Sequence, residues 1–299
     1  MDTHPENLSV CPFVIDTKTS GFAPDPVATL EQTLEFSFFE GGEIRNAFPH
    51  TTGWRTLPFS VLSALLENEA VTHLDGYGDI AMAPGDAVLI PTGVRHKSDA
   101  NSACGVRALW MHFTFRVLGG LDLFRLVSSP GRISGEMAEE GRAAMREVIR
   151  HHTAPVGHPL AVMAARRQAE GRLLQFLLGV CPPRPGMEER IAGSHRLKRV
   201  LDHIHEHYAD PLSRDDFHRL ACLSRSRFHT LFREVTGMAP MEYVKHRRLQ
   251  VAQTALLTTD ASVKEIAHAV GYGDAFHFTR LFTAAVGCCP REFRRRNLT

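Results

Sequence analysis

The sequence predicts a two-domain protein. An N-terminal β-barrel with flanking helices precedes an all-α domain in which two helix-turn-helix units are joined by a long helix. Three observations carry this. The last hundred residues write one pattern twice, at an offset of fifty. Residues from about 30 to 117 break into short alternating apolar runs bounded by turn residues, the mark of a sandwich or barrel. Between about 119 and 180 the apolar period becomes helical.

Composition bounds the rest. At 299 residues the chain has room for about two domains of ordinary size. A hydrophobic share of 43% and a charged share of 22% are those of a soluble globular protein. The start, Met1-Asp2-Thr3-His4-Pro5-Glu6, lacks a basic stretch followed by an apolar run, so no signal peptide is expected. No window approaches the ~18 uninterrupted apolar residues of a membrane span. The six cysteines, at 11, 104, 181, 222, 288 and 289, form no CxxC pair and no zinc-ligand spacing. Free thiols in a reducing cytoplasm are expected. The net charge of +1 hides an asymmetry. Residues 194–299 carry 17 Lys and Arg against 11 Asp and Glu, or +6, while the remainder carries 17 against 22, or −5. A basic C-terminal third suggests a polyanionic partner; a merely solvated basic surface is the alternative.

In the N-terminal half, Phe59–Leu66, Ala87–Ile90 and Val106–Phe113 read as strands, with a hairpin turn at Asp75-Gly76-Tyr77-Gly78-Asp79. Next, Met137, Met145 and Val148 sit in a charged helical stretch, and Leu173, Phe176, Leu177 and Val180 follow i, i+3, i+4, i+7. These helices either cover an open face of the barrel or form a dimer seam. Cys181-Pro182-Pro183-Arg184-Pro185-Gly186-Met187 cannot continue a helix. The predicted organisation is therefore 1–180, a linker at 181–193, and 194–299.

The duplicated unit begins at Phe228. Phe228, Leu231, Phe232, Gly237, Pro240, Glu242 and Tyr243 recur as Phe278, Leu281, Phe282, Gly287, Pro290, Glu292 and Phe293. A fixed period of this size means one supersecondary unit used twice. In the first copy Ser213 is an N-cap with Asp216 in the box position, Ser224 caps a second helix, and Gly237 ends it. In the second, Ser262 and Glu265 form the box, Gly271 makes the turn, Asp274 caps the next helix and Gly287 stops it. Short helix, tight turn and capped second helix are helix-turn-helix grammar. From Pro240 to Leu257 one helix of about 25 Å would hold two recognition helices roughly 34 Å apart, one duplex turn.

These residues resemble the DNA-binding domain of AraC/XylS-type transcriptional regulators. The resemblance covers about 105 residues and rests on Leu223–Phe228 with Leu231 and Phe232, on Gly237 and Pro240, and on Tyr243 with Arg247-Arg248-Leu249 and Ala252. It continues through Ile266-Ala267, Val270-Gly271-Tyr272, Asp274, Phe278–Phe282, Gly287 and Pro290. His218 and Cys288-Cys289 depart from the family pattern. The resemblance implies that Ser226, His229 and Thr230 face bases, with Arg225 and Arg233 at phosphates. In the second unit Ala275, Phe276, His277 and Arg280 are expected outward. Arg280 is the candidate for bidentate reading of guanine, against an ion pair inside the domain; Phe276 either meets a thymine methyl or packs internally.

Pro84–His96 places Gly85 and Gly93 as tight turns around one strand. This stretch resembles the second motif of cupin barrels, which many AraC-type regulators carry as sensor. Metal-dependent cupins also have a His-x-His and often an Asn four residues on; here no His-x-His precedes, and position 100 is Ala. His96 and His112 are by themselves too few for a metal site, although a nearby carboxylate could complete three ligands; neither metal nor cofactor is assigned. They are read as hydrogen-bonded barrel histidines or as effector contacts, together with Arg45, Trp54, Arg55 and Arg95. An aromatic with several arginines suits a hydroxylated or anionic molecule, such as a sugar or sugar acid.

The expected function is a cytoplasmic, effector-controlled, sequence-specific DNA-binding regulator, not an enzyme. Its expected partners are double-stranded DNA, a small-molecule effector, a second copy of the chain packed through Leu173, Phe176, Leu177 and Val180, and RNA polymerase if it acts as an activator. No membrane is expected. The alternatives are a metal-dependent cupin enzyme fused to a DNA-binding domain, and an effector-independent dimeric regulator.

Overall fold

Period-two runs become strands and period-3.6 runs become helices throughout the computed structural model, which describes residues 26–46, 50–100, 105–118 and 120–297. Met1–Glu6, Cys11 and Cys104 lie outside the described residues. After α1 (Pro26–Thr33) come β1 (Glu35–Asn46), β2 (His50–Thr51), β3 (Arg55–Thr56), β4 (Ser60–Glu67) and β5 (Ala70–Leu74). Then follow β6 (Gly78–Met82), β7 (Ala87–Ile90), β8 (Arg95–Ala100), β9 (Val106–Val117), β10 (Leu121–Asp122) and β11 (Arg132–Ile133). One sheet has the order β1-β9-β4-β7-β11, with β10 beside β9; the other has β2-β8-β5-β6, with β3 beside β8. The expected barrel is thus built as two antiparallel sheets sharing a core.

Alternate residues of a strand point to opposite faces, and both faces of the first sheet are apolar. Val61, Val88 and Ile90 meet Leu74 and Met82 of the second sheet. Leu62, Leu89, Met111, Phe113 and Phe115 point the other way. They require cover, which comes from α2 (Gly135–Thr153) and α3 (Pro159–Val180) through Met145, Val148, Leu173, Phe176 and Leu177. This corrects the expected dimer seam. Leu173 and Leu177 are 0% exposed and Phe176 5% within one chain, and Val180 packs at the edge of the same core. Helical period fixes which face is buried, not what buries it.

The proline-rich stretch ends α3 but is not a loose tether. Arg184 donates to the carbonyls of Phe124 (3.1 Å) and Val127 (3.0 Å), and the Ser128 amide donates to Pro182 (2.8 Å). The segment is also shorter than expected, because α4 (Met187–His207) takes residues 187–193. Glu188 and Glu189 occupy its first turn, where the helix dipole favours acids. Ile191 buries against Val117, Leu118, Leu121 and Leu126 of the β part. At 21 residues α4 is a rod of about 31 Å. One end rests on the sheets, while Leu197, Val200, Leu201 and Ile204 enter the core of the first helix-turn-helix unit.

The remaining helices are α5 (Arg214–Leu220), α6 (Arg225–Thr236), α7 (Pro240–Thr258), α8 (Val263–Ala269), α9 (Ala275–Val286) and α10 (Pro290–Asn297). Phe217, Phe228, Phe232 and Val244 build the first unit with α4. Ile266, Val270, Phe278, Phe282 and Phe293 build the second around Leu249, Ala252 and Leu256 of α7. Arg248 of α7 ties them together, donating to Tyr208 O (2.6 Å), Asp210 O (2.8 Å) and Gly271 O (3.1 Å). Gly271 is required twice over in the α8–α9 turn. Its φ is +84°, and a Cβ there would stand 2.2 Å from the Ala209 carbonyl oxygen.

Candidate nucleic-acid interface and effector site

Each recognition helix is fixed by a cap at its start and an apolar stripe beneath. Ser224 Oγ accepts from the Arg227 amide (3.4 Å), and Gly237 closes α6 with φ 74°. Asp274 accepts from the amides of Phe276 (2.9 Å) and His277 (3.2 Å) at the start of α9. The expected capping box forms in the second unit, where Ser262 N–H donates to Glu265 Oε2 (2.7 Å) and Glu265 N–H to Ser262 Oγ (3.2 Å). It does not form in the first. Asp216 is one methylene shorter than Glu, and it is engaged by Arg219 instead (2.6 Å).

With Phe228, Leu231 and Phe232 buried, Ser226, His229, Thr230 and Arg233 are exposed on α6. Arg225 is exposed too but already engaged, with Asp215 (3.0 Å) and with His218 Nε2 (3.4 Å). His218, the departure noted in the sequence, therefore makes a polar clasp where a small residue would pack. On α9, Phe276 is 85% exposed, and His277 and Arg280 are exposed as well. Among the described residues neither Arg233 nor Arg280 forms an ion pair, so the internal alternatives for Arg280 and Phe276 fall away. Ala275 is a correction: it is half-buried against the core beneath it, because the first residue of a capped helix turns its small side chain under the preceding loop.

The six effector candidates do not form one pocket. Arg55, His96 and His112 gather between the sheets. Arg55 Nε–H donates to His96 Nε2 (3.3 Å), and His96 Nδ1–H donates to Val94 O (2.9 Å). Both ring nitrogens of His96 are thereby committed, and burial next to Arg55 pushes its pKa down to about 4. His112 Nδ1 bonds Glu40 Oε1 (2.9 Å), and its ring stacks on Phe59 at 4.5 Å. Burial lowers its pKa although Glu40 opposes the shift. Burial also lowers Arg55, to about 10. Trp54 and Arg95 lie elsewhere, the guanidinium 4.9 Å from the ring centroid, with Trp54 41% exposed. Arg45 is a third, solvent-facing location, 3.9 Å from Glu67 with its side chain 79% exposed.

Sequence reasoning missed a small cleft of about 40 Å³ between the β part and the first helix-turn-helix unit. Thr92, Thr114, Arg116, Asp122 and Arg125 line one side; Thr236, Met238, Tyr243, His246 and Gln250 line the other. No local pattern betrays it, because its walls lie more than a hundred residues apart in the chain.

Two capped recognition helices on one rigid spacer, each with unpaired cations or polar side chains on its exposed face, define a double helix-turn-helix DNA-binding protein. A family model described as a helix-turn-helix domain matches residues 218–296. YijO of Escherichia coli K12, an uncharacterized HTH-type transcriptional regulator, is 26% identical over 242 residues, 80% of this chain and 82% of its own. The transcriptional activator RhaS of Enterobacter sp. strain 638 is 33% identical over 100 residues, 33% of this chain and 36% of RhaS. The chain thus spans most of YijO but about a third of RhaS. Among solved structures, ToxT from Vibrio cholerae O395 shares the fold at TM-score 0.53 and 10% identity, covering 89% of this chain and 98% of ToxT. The C-terminal part of the chain carries a helix-turn-helix domain of the AraC type, and the relatives it matches are HTH-type transcriptional regulators. No helix among the described residues is long and apolar enough to cross a membrane.

Proposed function

We propose that this chain is a cytoplasmic, small-molecule-responsive regulator that reads an asymmetric operator across two successive major grooves. The observation that carries the reading is a contrast within the repeat. Its shared aromatic and leucine positions are buried or half-buried scaffold, while the exposed faces of its recognition helices differ: Ser226, His229 and Thr230 on α6 against Phe276, His277 and Arg280 on α9. Identical folds then present different chemistry to different bases. Arg280 reads guanine, Phe276 meets a thymine methyl, and Arg233 holds phosphate. Arg225 reaches phosphate only by releasing Asp215.

The effector is of the sugar or sugar-acid class, sensed by residues 1–180. A second copy of the chain binds the exposed side of α3, which carries Leu160, Met163 and Leu178, since its other side is occupied. RNA polymerase is a partner if the regulator activates. The engaged nitrogens of His96 favour a sensor over a metal-dependent enzyme. The test is footprinting of the native operator with the wild-type protein and with Arg280→Ala. The variant should lose roughly 1–3 kcal/mol of discrimination, or 5- to 150-fold, at fixed salt. Unchanged preference for operator over random DNA would overturn the assignment.

A further inference from the structure

The clasp at the start of α6 depends on a single proton. Arg225 is the first residue of α6, and its side chain is 71% exposed. Its Nη2 stands 3.0 Å from Asp215 Oδ1, and its Nε–H donates to His218 Nε2 (3.4 Å). A guanidinium has donors and no acceptor. His218 Nε2 must therefore offer its lone pair, which makes the ring the neutral tautomer with its proton on Nδ1. His218 Nε2 also lies 3.9 Å from Asp215 Oδ1, so one carboxylate oxygen faces both side chains.

The other charged groups around this triad are turned to other partners or to solvent. On α5, Asp216 holds Arg219 (2.6 Å), which also donates to the Asp215 carbonyl (3.0 Å). Arg214 is exposed at the start of the same helix. Packing of α4 against Phe217 of α5 is apolar, through Leu197, Val200, Leu201 and Ile204. The imidazole at the end of α4, His207, bonds Asp210 (3.0 Å). From α6, the cation that faces the His218 ring is Arg225.

The duplicated unit shows that the scaffold does not need the clasp. Asp215 and His218 lie two and five residues after the N-cap Ser213, and Arg225 lies one after the N-cap Ser224. The same counts from Ser262 and Asp274 give Lys264, Ala267 and Ala275. All three members are replaced. Ala267 is fully buried where His218 is half-buried, so the shared fold accepts a small side chain at this position. The triad is an addition to that fold, present in the first unit alone.

Proton uptake turns Nε2 from an acceptor into a donor. It removes the bond to Arg225, sets a second positive charge against the guanidinium, and gives Asp215 a competing partner on its own helix. Exposed ion pairs are weak, so this exchange is enough to release Arg225. Imidazole is the side chain that changes charge between about pH 5 and 8. We propose that the first recognition helix carries a proton-operated gate: neutral His218 holds Arg225 on Asp215, and protonated His218 frees it to meet a DNA phosphate. The proposal rests on the DNA-binding reading and adds to it a number of phosphate contacts that rises as pH falls.

The experiment uses the full-length protein and a labelled duplex selected by it from a random-sequence pool at pH 8. Fluorescence anisotropy gives the slope of log affinity against log salt at pH 8 and at pH 6. One further phosphate contact steepens that slope by about 0.9. His229 and His277 are exposed on the recognition helices and also gain charge at pH 6, so the readout is a difference between variants. The steepening from pH 8 to pH 6 should be larger in wild type than in His218→Ala by about 0.9. Asp215→Asn should show the steep slope already at pH 8, and its change with pH should match that of His218→Ala. This second variant, altered at an exposed residue, keeps the test decisive if His218→Ala folds poorly. Arg225→Gln should also lose the extra steepening. Equal steepening in wild type and in His218→Ala would overturn the gate. So would full steepening in Arg225→Gln, which would mean that the imidazolium meets the phosphate itself. Failure to enrich any sequence at pH 8 would overturn the DNA-binding reading, and the gate with it, whereas specific binding with equal slopes overturns the gate alone.

Discussion

Replacing Arg248 by Met should uncouple the two helix-turn-helix units. The guanidinium donates to three carbonyls that belong to both: Tyr208 and Asp210 at the end of α4, and Gly271 in the turn of the second unit. It also lies 5.4 Å from the centroid of the Tyr272 ring. A hydrogen bond from a charged donor contributes a net of roughly 1.5–3 kcal/mol. The side chain is half-exposed and the Asp210 bond faces solvent, so a total of about 3 kcal/mol is the reasonable expectation, well below the sum of three. Met preserves most of the stem, so what is lost is polar. Urea unfolding gives two separate readouts, because Trp54 and Trp110 both lie in the β part while far-UV ellipticity is dominated by the helices. The ellipticity midpoint should fall by roughly 1–3 M urea for a loss of that size, with the fluorescence midpoint unchanged. Operator affinity should fall more than affinity for either half-site alone, since the relative placement of α6 and α9 is what the clasp holds. Arg248→Lys should rescue only part of the loss, one ammonium being unable to span three carbonyls. An ellipticity midpoint matching wild type in Arg248→Met would refute the reasoning.

Three other outcomes test separate links. Arg233→Ala should weaken binding to all DNA sequences alike and make the slope of log affinity against log salt shallower by about 0.9, measured by fluorescence anisotropy; a sequence-dependent loss would show a base contact instead. Leu173→Ala should cost about 2–5 kcal/mol of stability in the monomer, because the side chain is 0% exposed within one chain; a change confined to sedimentation would restore the dimer seam. His96 is held neutral in the fold, at about 4 against 6.5, whereas the unfolded chain takes up the proton near its ordinary value. Stability is therefore complete above pH 6.5 and declines as pH falls towards 4, by up to roughly 3 kcal/mol. His96→Gln should flatten that part of the curve, and an unaltered slope would count against the buried neutral imidazole.

The all-α part was legible almost residue by residue. Its signals are local: caps at Ser224, Ser262 and Asp274, stops at Gly237 and Gly287, and an apolar stripe repeated at fixed spacing. Where it misled, the cause was short-range and steric. Asp216 is too short to close the box, and Ala275 is small enough to tuck under the loop. The β part gave up its strands but not its site. Arg45, Arg55 and Arg95 share a residue type, yet strand parity and register send them to three different places. Leu173, Phe176 and Leu177 declared a buried face without naming its partner. The cleft was invisible because it exists only where the ends of β9 and α7 meet, and nothing in either stretch announces the other.

That meeting constrains how control can work. A single cluster of buried residues runs from Leu57 and Phe59 between the sheets to Leu249, Ala252 and Leu256 on α7, and Gln253 Nε2 donates to Thr56 O (3.3 Å) across the same junction. The β part therefore grips the spacer and the far end of α6. It leaves Ser226, His229, Thr230, Phe276, His277 and Arg280 exposed. The recognition helices are thus not occluded by the β part in this conformation, since none of these side chains is covered. A signal from the N-terminal half has to act through geometry, either by altering the angle between the units about α7 or by shifting α4 against the sheets. Both routes pass through the residues around the cleft. Arg125 sits beside the cap of α6, His205 sits on Gly120, and Tyr243 links the start of α7 to α4.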